Sequence, residues 1–357
     1  MRALHHLALL ILTPLLAGCV GVGYYLQALG GHLDLLQAAR PVEQWLADDH
    51  ASPALKQRLA LAQRIRHFAV TELQLPDNAS YQRYADLQRR SVVWNVAAAP
   101  EFSLTLKTWC FPVAGCVSYR GYFSEAQARA QAQEIAETGV EVTVYGVPAY
   151  STLGWLNWAG GDPLLNTFIG YPEGELARLI FHELAHQVLY VKNDTLFNES
   201  FATAVERLGS ARWLAAQGSP AARREYAEFD ERRRQFRSLG WATRQRLAAI
   251  YPQPGSPAPD KQALDAMKAQ IMQAFRDDYA RLKSSWGGYA AYDAWVARAN
   301  NAAFGAQATY DELVPAFEAL FEREGQHWPR FYEAVRRLGQ LPATERTRAL
   351  KQGPASR

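Results

Sequence analysis

Between residues 182 and 186 the chain reads His182-Glu183-Leu184-Ala185-His186, two imidazoles flanking a carboxylate. On a helix, positions four apart lie on one face, so both imidazoles can reach one cation. Zinc accepts neutral imidazole nitrogen at about 2.0 Å and favours tetrahedral sites. Glu183 is displaced round the helix from that face, better placed to take a proton from the metal's water than to bind the metal. Zinc brings the pKa of such a water towards about 7, and a carboxylate can complete its deprotonation. The pattern needs a helix beneath it. Leu176, Leu179, Ile180, Leu184 and Val188 supply an apolar lining, and no Pro or Gly interrupts residues 175–191, so a helix is expected across that span.

A third ligand should be near, on an element of its own. Asn198-Glu199-Ser200-Phe201-Ala202 offers one, after a loop containing Asn193-Asp194. Glu199 also has a plainer reading, as an acidic residue of a first helical turn, favoured there by the helix dipole; with His-Glu-x-x-His upstream, the ligand reading is preferred. Taken together, the two segments resemble the gluzincin metallopeptidases, which combine the His-Glu-x-x-His pattern with a downstream Asn-Glu on a second helix. Asn-Glu-x-Phe-Ala in particular looks like the third-ligand motif of zinc aminopeptidases. The wider stretch 179–206, with Val147-Pro148-Ala149-Tyr150-Ser151-Thr152-Leu153-Gly154-Trp155 and Asn300-Asn301-Ala302, is similar to a family of bacterial lipoproteins described as predicted aminopeptidases. Carried over residue by residue, the resemblance implies a Zn2+ cofactor held by His182, His186 and Glu199, with Glu183 as general base. Thermolysin-like enzymes place an Asp four residues after the third ligand, behind a zinc-bound His; here that position is Thr203. Thr203, Asp194 or Glu206 could serve instead. The Gly-x-Met-x-Asn element with which large zinc aminopeptidases bind the substrate's amino end is not apparent.

Two further roles need residues. An extended peptide beside an edge strand would be held by main-chain hydrogen bonds. Residues 147–153 fit that description, with Ala149, Tyr150 and Ser151 against the substrate, and fit a buried connector equally well. A donor must also face the oxyanion. Tyr310 is the first candidate, ahead of Tyr292 and Tyr289, although in a chain with 17 tyrosines each could simply be packing. His327 could donate a proton, or be structural beside Trp328-Pro329.

The supporting elements are mostly helical. Leu55, Leu59, Ala62, Ile65, Ala69 and Leu73 recur at helical steps within a helical region 21–75, stopped by Pro76-Asp77-Asn78. Residues 91–96 and 102–106 read as strands with a turn over 97–101, 124–138 as a helix capped by Ser124, and 140–145 as a strand. Beyond Gly209 nearly all is helical apart from the Pro/Gly/Ser segment 252–259. The expected fold is α+β and mostly helical: a zincin-like core with a small β-sheet and an active-site helix pair, flanked by helical parts. The division expected is 1–18, 19–90, 91–217 for the core, and 218–357.

The chain's 357 residues are 49% hydrophobic and 20% charged, with a formal charge of +3. That is a globular composition with too little positive charge to suggest nucleic acid as a partner. The run from Arg223 to Arg234 is interleaved with Glu225, Glu228, Asp230 and Glu231, and reads as a solvated helix face. At the N-terminus, Arg2 precedes an apolar run, 7–16, shorter than the roughly 20 residues of a membrane span. It ends in Leu16-Ala17-Gly18-Cys19, which resembles the lipobox of bacterial lipoproteins. That implies cleavage before Cys19, acylation of its sulfur and amino group, and a membrane anchor in the cell envelope. Val20, in place of an Asp, implies the outer membrane. A plain signal peptide is the alternative. Export brings an oxidising compartment, in which Cys110 and Cys116 are expected to pair around a Pro- and Gly-containing reversal. A metal site on two cysteines without a nearby His is the poorer reading.

These observations converge on a lipid-anchored zinc metallopeptidase acting on peptides in the envelope. Two rivals stand beside it: a zinc-dependent peptidoglycan amidase or endopeptidase, and a non-catalytic lipoprotein with a structural zinc site. A purely structural site would not need Glu183.

Overall fold

The computed structural model describes residues 19–111, 115–149, 151–155, 157–252, 260–308, 310 and 312–352. Residues 1–18, which the sequence suggested as a signal peptide, lie outside them, as do Tyr150, most of the Pro/Gly/Ser segment and the side chain of Cys19. The fold is α+β and mostly helical.

Three helices open the chain: α1 (Cys19–Ala38), α2 (Val42–Ala47) and α3 (Pro53–Thr71). The expected continuous helical region is thus broken twice. Residues 40–41 pair as β1 (Arg40–Pro41), and Ser52 restarts the helix by accepting from the Leu55 amide. Helix α3 ends before Pro76, since Gln74 takes a left-handed φ of 54° and lets Leu73 and Leu75 turn into the core.

Next come β2 (Arg83–Ala85), β3 (Val93–Pro100), β4 (Trp109–Phe111), β5 (Gly115–Val117) and β6 (Arg120–Tyr122). They are followed by α4 (Glu125–Ala136), β7 (Val140–Val147) and β8 (Leu164–Leu165). The expected turn at 97–101 does not form. Ala97, Ala98 and Ala99 are wholly buried and carry β3 on to Pro100. Their partner is β7, antiparallel from Val93↔Val147 to Pro100↔Val140, not residues 102–106. With no bulky side chains there, helix residues beyond 300 can approach closely, and Asn301 Nδ2 donates to the carbonyls of Pro100 and Glu101.

The strand order is β6-β3-β7, all antiparallel. The strand period of two divides this sheet. Val96, Ala98, Val142 and Val144 pack with Ala128 and Ile135 of α4, whereas Val93, Asn95 and Val147 face the other way, into a cavity.

The remaining helices are α5 (Glu173–Ala185), α6 (Thr195–Ala216), α7 (Pro220–Ile250) and α8 (Lys261–Ser285). Beyond them lie α9 (Asp293–Ala297), α10 (Asn301–Ala308), α11 (Val314–Arg323), α12 (Trp328–Gly339) and α13 (Ala343–Gln352). One hydrophobic core joins Leu35, Ile65, Phe181, Phe201, Phe317 and Leu350, so early, middle and late helices share it. A second, aromatic core gathers Phe236, Phe275, Trp295 and Phe304.

Candidate metal centre and catalytic cavity

Glu173 and Glu175 in the first turn of α5 suit the positive end of its dipole. Leu176, Ala177, Ile180, Phe181 and Leu184 bury the face that meets α3 and α6. The approach to α6 is tight. A Cβ on Gly209 of α6 would lie 2.7 Å from Leu73 Cδ1 and 2.9 Å from Phe181 Cδ2. Helix α5 is shorter than the sequence suggested: it ends at Ala185, with His186 as its C-cap. Apolar periodicity does persist to Val188, but Gln187 is drawn sideways. Its amide donates to Ser80 Oγ and Asp162 Oδ2 and accepts from Asn78 Nδ2.

The link to α6 is built from the motif's own residues. Asn193 adopts a φ of 65°, and Asp194 caps α6 by accepting from the Phe197 amide. Asn198 braces the loop in both directions, accepting from the Val191 amide and donating to its carbonyl, each at 2.8 Å. The asparagine before Glu199 therefore fixes where α6 starts relative to the end of α5.

Three ligand atoms meet there. His182 Nε2 and His186 Nε2 are 3.2 Å apart, and Glu199 Oε2 lies 3.4 Å from the first and 3.5 Å from the second. A tetrahedral ion with ligands at about 2.0–2.1 Å requires edges of about 3.3–3.4 Å. The triangle therefore fits a metal without rearrangement, and these three residues form a possible metal-binding group.

The electrostatics of the protein's own groups point the same way. Burial opposes a charged His182, yet Glu199 and Glu206 beside it raise its pKa to about 10. Burial would lift Glu199, but His186 and His182 hold it at about 2. The cluster favours positive charge at its centre. Glu183, also buried, is not part of the triangle; burial pushes its carboxyl above the usual range against the pull of the two imidazoles.

Of the three candidates to support a ligand, Glu206 occupies the place. Its Oε2 lies 3.0 Å from His182 Nδ1, while Oε1 accepts from Arg178 Nε at 2.8 Å and also from Nη2. Glu206 is seven residues after Glu199, two helical turns rather than the one expected. Asp194 is occupied as a cap and ion-paired to Arg346, and Thr203 is buried with no partner for its hydroxyl among the described residues.

A cavity of about 490 Å³ opens over the centre. Glu183, Glu199 and both histidines line it, with Tyr310, Ala149 and Ser151 among its other walls. The Tyr310 ring stacks near His182, with centroids 6.3 Å apart. Burial first, and then the Glu199 carboxylate, raise its pKa well above the usual tyrosine value, so the hydroxyl keeps its proton. Tyr292 instead stacks on Phe236 at 4.0 Å, and Tyr289 lies under Arg232; neither lines this cavity. His327 caps α12 through Nδ1, a structural task.

The expected substrate strand stops at Val147. Beyond it, Asp162 gathers the loop by accepting from the Thr152 amide and from Ser151 Oγ. The Ser151 hydroxyl is thus part of a turn, while Tyr150 lies outside the described residues.

Tyr119, Tyr145 and Asn95 were not legible as site residues. Tyr119 and Asn95 line the cavity, and Tyr145 lies beside Asn95, its pKa raised to about 12 by burial. Asn95 and Tyr145 arrive through the pairing of β3 with β7, and Tyr119 through the link between β5 and β6; none carries a local signal. Cys110 and Cys116 form a disulfide across β4 and β5. That hairpin is pinned to the α5–α6 link by the Cys116 amide, which donates to Asn193 Oδ1 at 2.7 Å. Phe111 of β4 stacks on Tyr24 of α1, and Phe111, Tyr24 and Tyr25 all border the cavity.

A protein-family model described as "Putative aminopeptidase" matches residues 23–350. No curated protein and no solved structure matches the chain.

Proposed function

Because the chain belongs to that aminopeptidase family, we propose that it is a zinc-dependent metallopeptidase of the cell envelope. The family points to a hydrolase acting on peptides. The zinc reading is carried by the triangle of His182, His186 and Glu199, whose edges of 3.2, 3.4 and 3.5 Å suit a tetrahedral ion.

Held by those residues, zinc would acidify a water and polarise the scissile carbonyl. Glu183 takes the attacking water's proton on its carboxylate and returns it to the departing amine. Its raised pKa suits a group that must hold the proton between those two events. Tyr310, kept protonated, donates its hydroxyl to the negative charge building on the carbonyl oxygen. Glu206, itself anchored by Arg178, orients the His182 ring.

We propose in addition that the chain is held at a membrane of the cell envelope. Leu16-Ala17-Gly18-Cys19 supports an acyl anchor on Cys19, with the outer membrane as destination. Among the described residues no helix is long and apolar enough to cross a membrane.

Metal analysis of the purified mature chain should find about one zinc per molecule. Digestion of a peptide library by that protein, read by mass spectrometry, should stop with a chelator and resume when zinc is returned. A zinc-loaded chain that leaves the whole library intact would overturn the peptidase reading.

A further inference from the structure

Helix α1 has two unlike faces. Tyr24, Gln27, Gly31 and Leu35 fall three and four residues apart and meet the body of the protein. Tyr24 stacks on Phe111 and meets Tyr122 edge-on, while Gln27 donates to the Gly121 carbonyl and accepts from the Phe123 amide. A Cβ on Gly31 would lie 2.2 Å from Phe123 Cγ, and Leu35 enters the main core. The helix is clamped along its length.

Its opposite face is apolar and, among the described residues, uncovered. Leu26 is 64% exposed, Leu29 59% and Leu33 46%, with Tyr25 beside them at 48%. Leucines at helical spacing form a contiguous stripe, unlike the single surface leucine that needs no explanation. No Lys, Arg, Asp or Glu occurs between Cys19 and Leu33. Helix α7, by contrast, shows solvent the pairs of Arg232 with Glu228 and Arg234 with Glu231, while Arg233 turns inward to Glu175 of α5.

The sequence ahead of the helix points to what covers the stripe. The steps of three and four residues that link Leu33, Leu29 and Leu26 run back through Val22 to Cys19. The apolar run 7–16 ends three residues before that cysteine. Whether the run is replaced by acyl chains on Cys19 or stays as an anchor, the group entering the membrane is joined to α1 with no intervening linker. At the other end of α1, the Arg83 guanidinium holds the carbonyls of Leu36 and Ala39 and lies against Gly160. Trp158, two residues before Gly160, is 84% exposed, and tryptophan suits the level of lipid headgroups.

Resting on the membrane location proposed above, we propose that α1 lies flat on the bilayer, with Leu26, Leu29 and Leu33 sunk into the boundary between headgroups and acyl chains. The partner is lipid rather than another protein. Clamped by its inner face, α1 stays with the body of the protein instead of inserting. Tyr24, Tyr25 and Ala28 of this helix also line the catalytic cavity, so the lipid surface and the cavity share one rigid wall.

The test uses the mature chain on vesicles of phosphatidylethanolamine and phosphatidylglycerol. Leu29→Cys carries a thiol-linked fluorophore; acylation blocks Cys19, and Cys110 and Cys116 are paired. A lipid-borne nitroxide should quench this label, and iodide in the water should lose access to it. A label that iodide reaches as fully as on the Cys19→Ala chain in vesicle-free solution would overturn the proposal, since the protein would then hang from its acyl chains alone. If Cys19 proves unacylated, the anchor reading falls and co-sedimentation with the same vesicles decides the stripe. The wild type should bind roughly tenfold or more tightly than a chain carrying Leu26→Gln, Leu29→Gln and Leu33→Gln together, as expected when apolar area is withdrawn from lipid. Equal or absent binding of the two overturns the proposal. A wild-type dimer that these substitutions break, without vesicle binding, also overturns it and assigns the stripe to a second copy of the chain.

Discussion

Glu183 and Glu199 are buried carboxylates beside the same two imidazoles, and the proposal gives them opposite tasks. Glu199 lies within the ligand triangle and Glu183 outside it. Glu183→Gln keeps the side chain's size and hydrogen-bonding capacity but cannot accept a proton at neutral pH. It should retain about one zinc per chain while turnover falls by roughly 10²–10⁴-fold; zinc loss in that variant would mean that Glu183 is a ligand. Glu206 acts through His182, so its readout is metal affinity. Glu206→Gln leaves an oxygen to accept from Arg178 but removes the charge facing His182 Nδ1. A competition titration with a zinc chelator should show affinity weakened roughly 10- to 100-fold, and unchanged affinity would make Glu206 merely a partner for Arg178. His182, Glu183 and His186 were legible in the sequence because their geometry is local. Glu206 was legible only as one of three options, since choosing among them depends on where Asp194 and Thr203 end up. Tyr145 depends on pairing between distant segments and Tyr119 on where the link between β5 and β6 runs, and neither could be read at all.

At the scale of elements, the distance between α5 and α6 sets the triangle, and Gly209 sets that distance. Gly209→Ala should push on Phe181, the residue before His182. Overpacking of this kind costs roughly 1–3 kcal/mol, and here it should also weaken zinc binding. Chemical denaturation and zinc titration read the two effects; a fully stable variant with normal zinc affinity would show that the helices can move apart freely. The disulfide hairpin contributes differently, by closing a short loop. Replacing Cys110 and Cys116 together by Ser should lower stability by roughly 2–3 kcal/mol in the chain-entropy model, measured by denaturation of both proteins under non-reducing conditions. The sequence marked the helix at 124–138 and the strand at 140–145 well, because Ser124, Gly139 and the alternation after it are local signals. It misplaced the partner of β3. Three consecutive alanines followed by Pro100 look like a turn, and it is pairing with β7, with α10 packed against them, that makes a strand of them.

Across the whole molecule, late segments complete what early ones begin. Arg346 of α13 pairs with Asp194, the cap of the helix that carries Glu199, and Phe317 of α11 packs on Phe197 and Phe201 of that same helix. The start of the chain approaches the site as well, through Tyr24 and Tyr25 on α1. The mature wild-type chain should begin at an acylated Cys19 and sediment with membranes, and Cys19→Ala should remain uncut or appear in the soluble periplasmic fraction. A mature N-terminus mapped elsewhere by mass spectrometry would remove the anchor. Tyr24 is five residues beyond Cys19 along one helix, an axial distance of only about 7–8 Å at 1.5 Å per residue. With Cys19 acylated, the mouth of the cavity would be leashed to the bilayer surface, and encounters would come largely from molecules already gathered there. For a peptide fixed to the same surface, effective concentration rather than bulk concentration would set the rate. An unacylated chain would then lose speed on surface-bound peptides while matching the anchored one on peptides that diffuse freely.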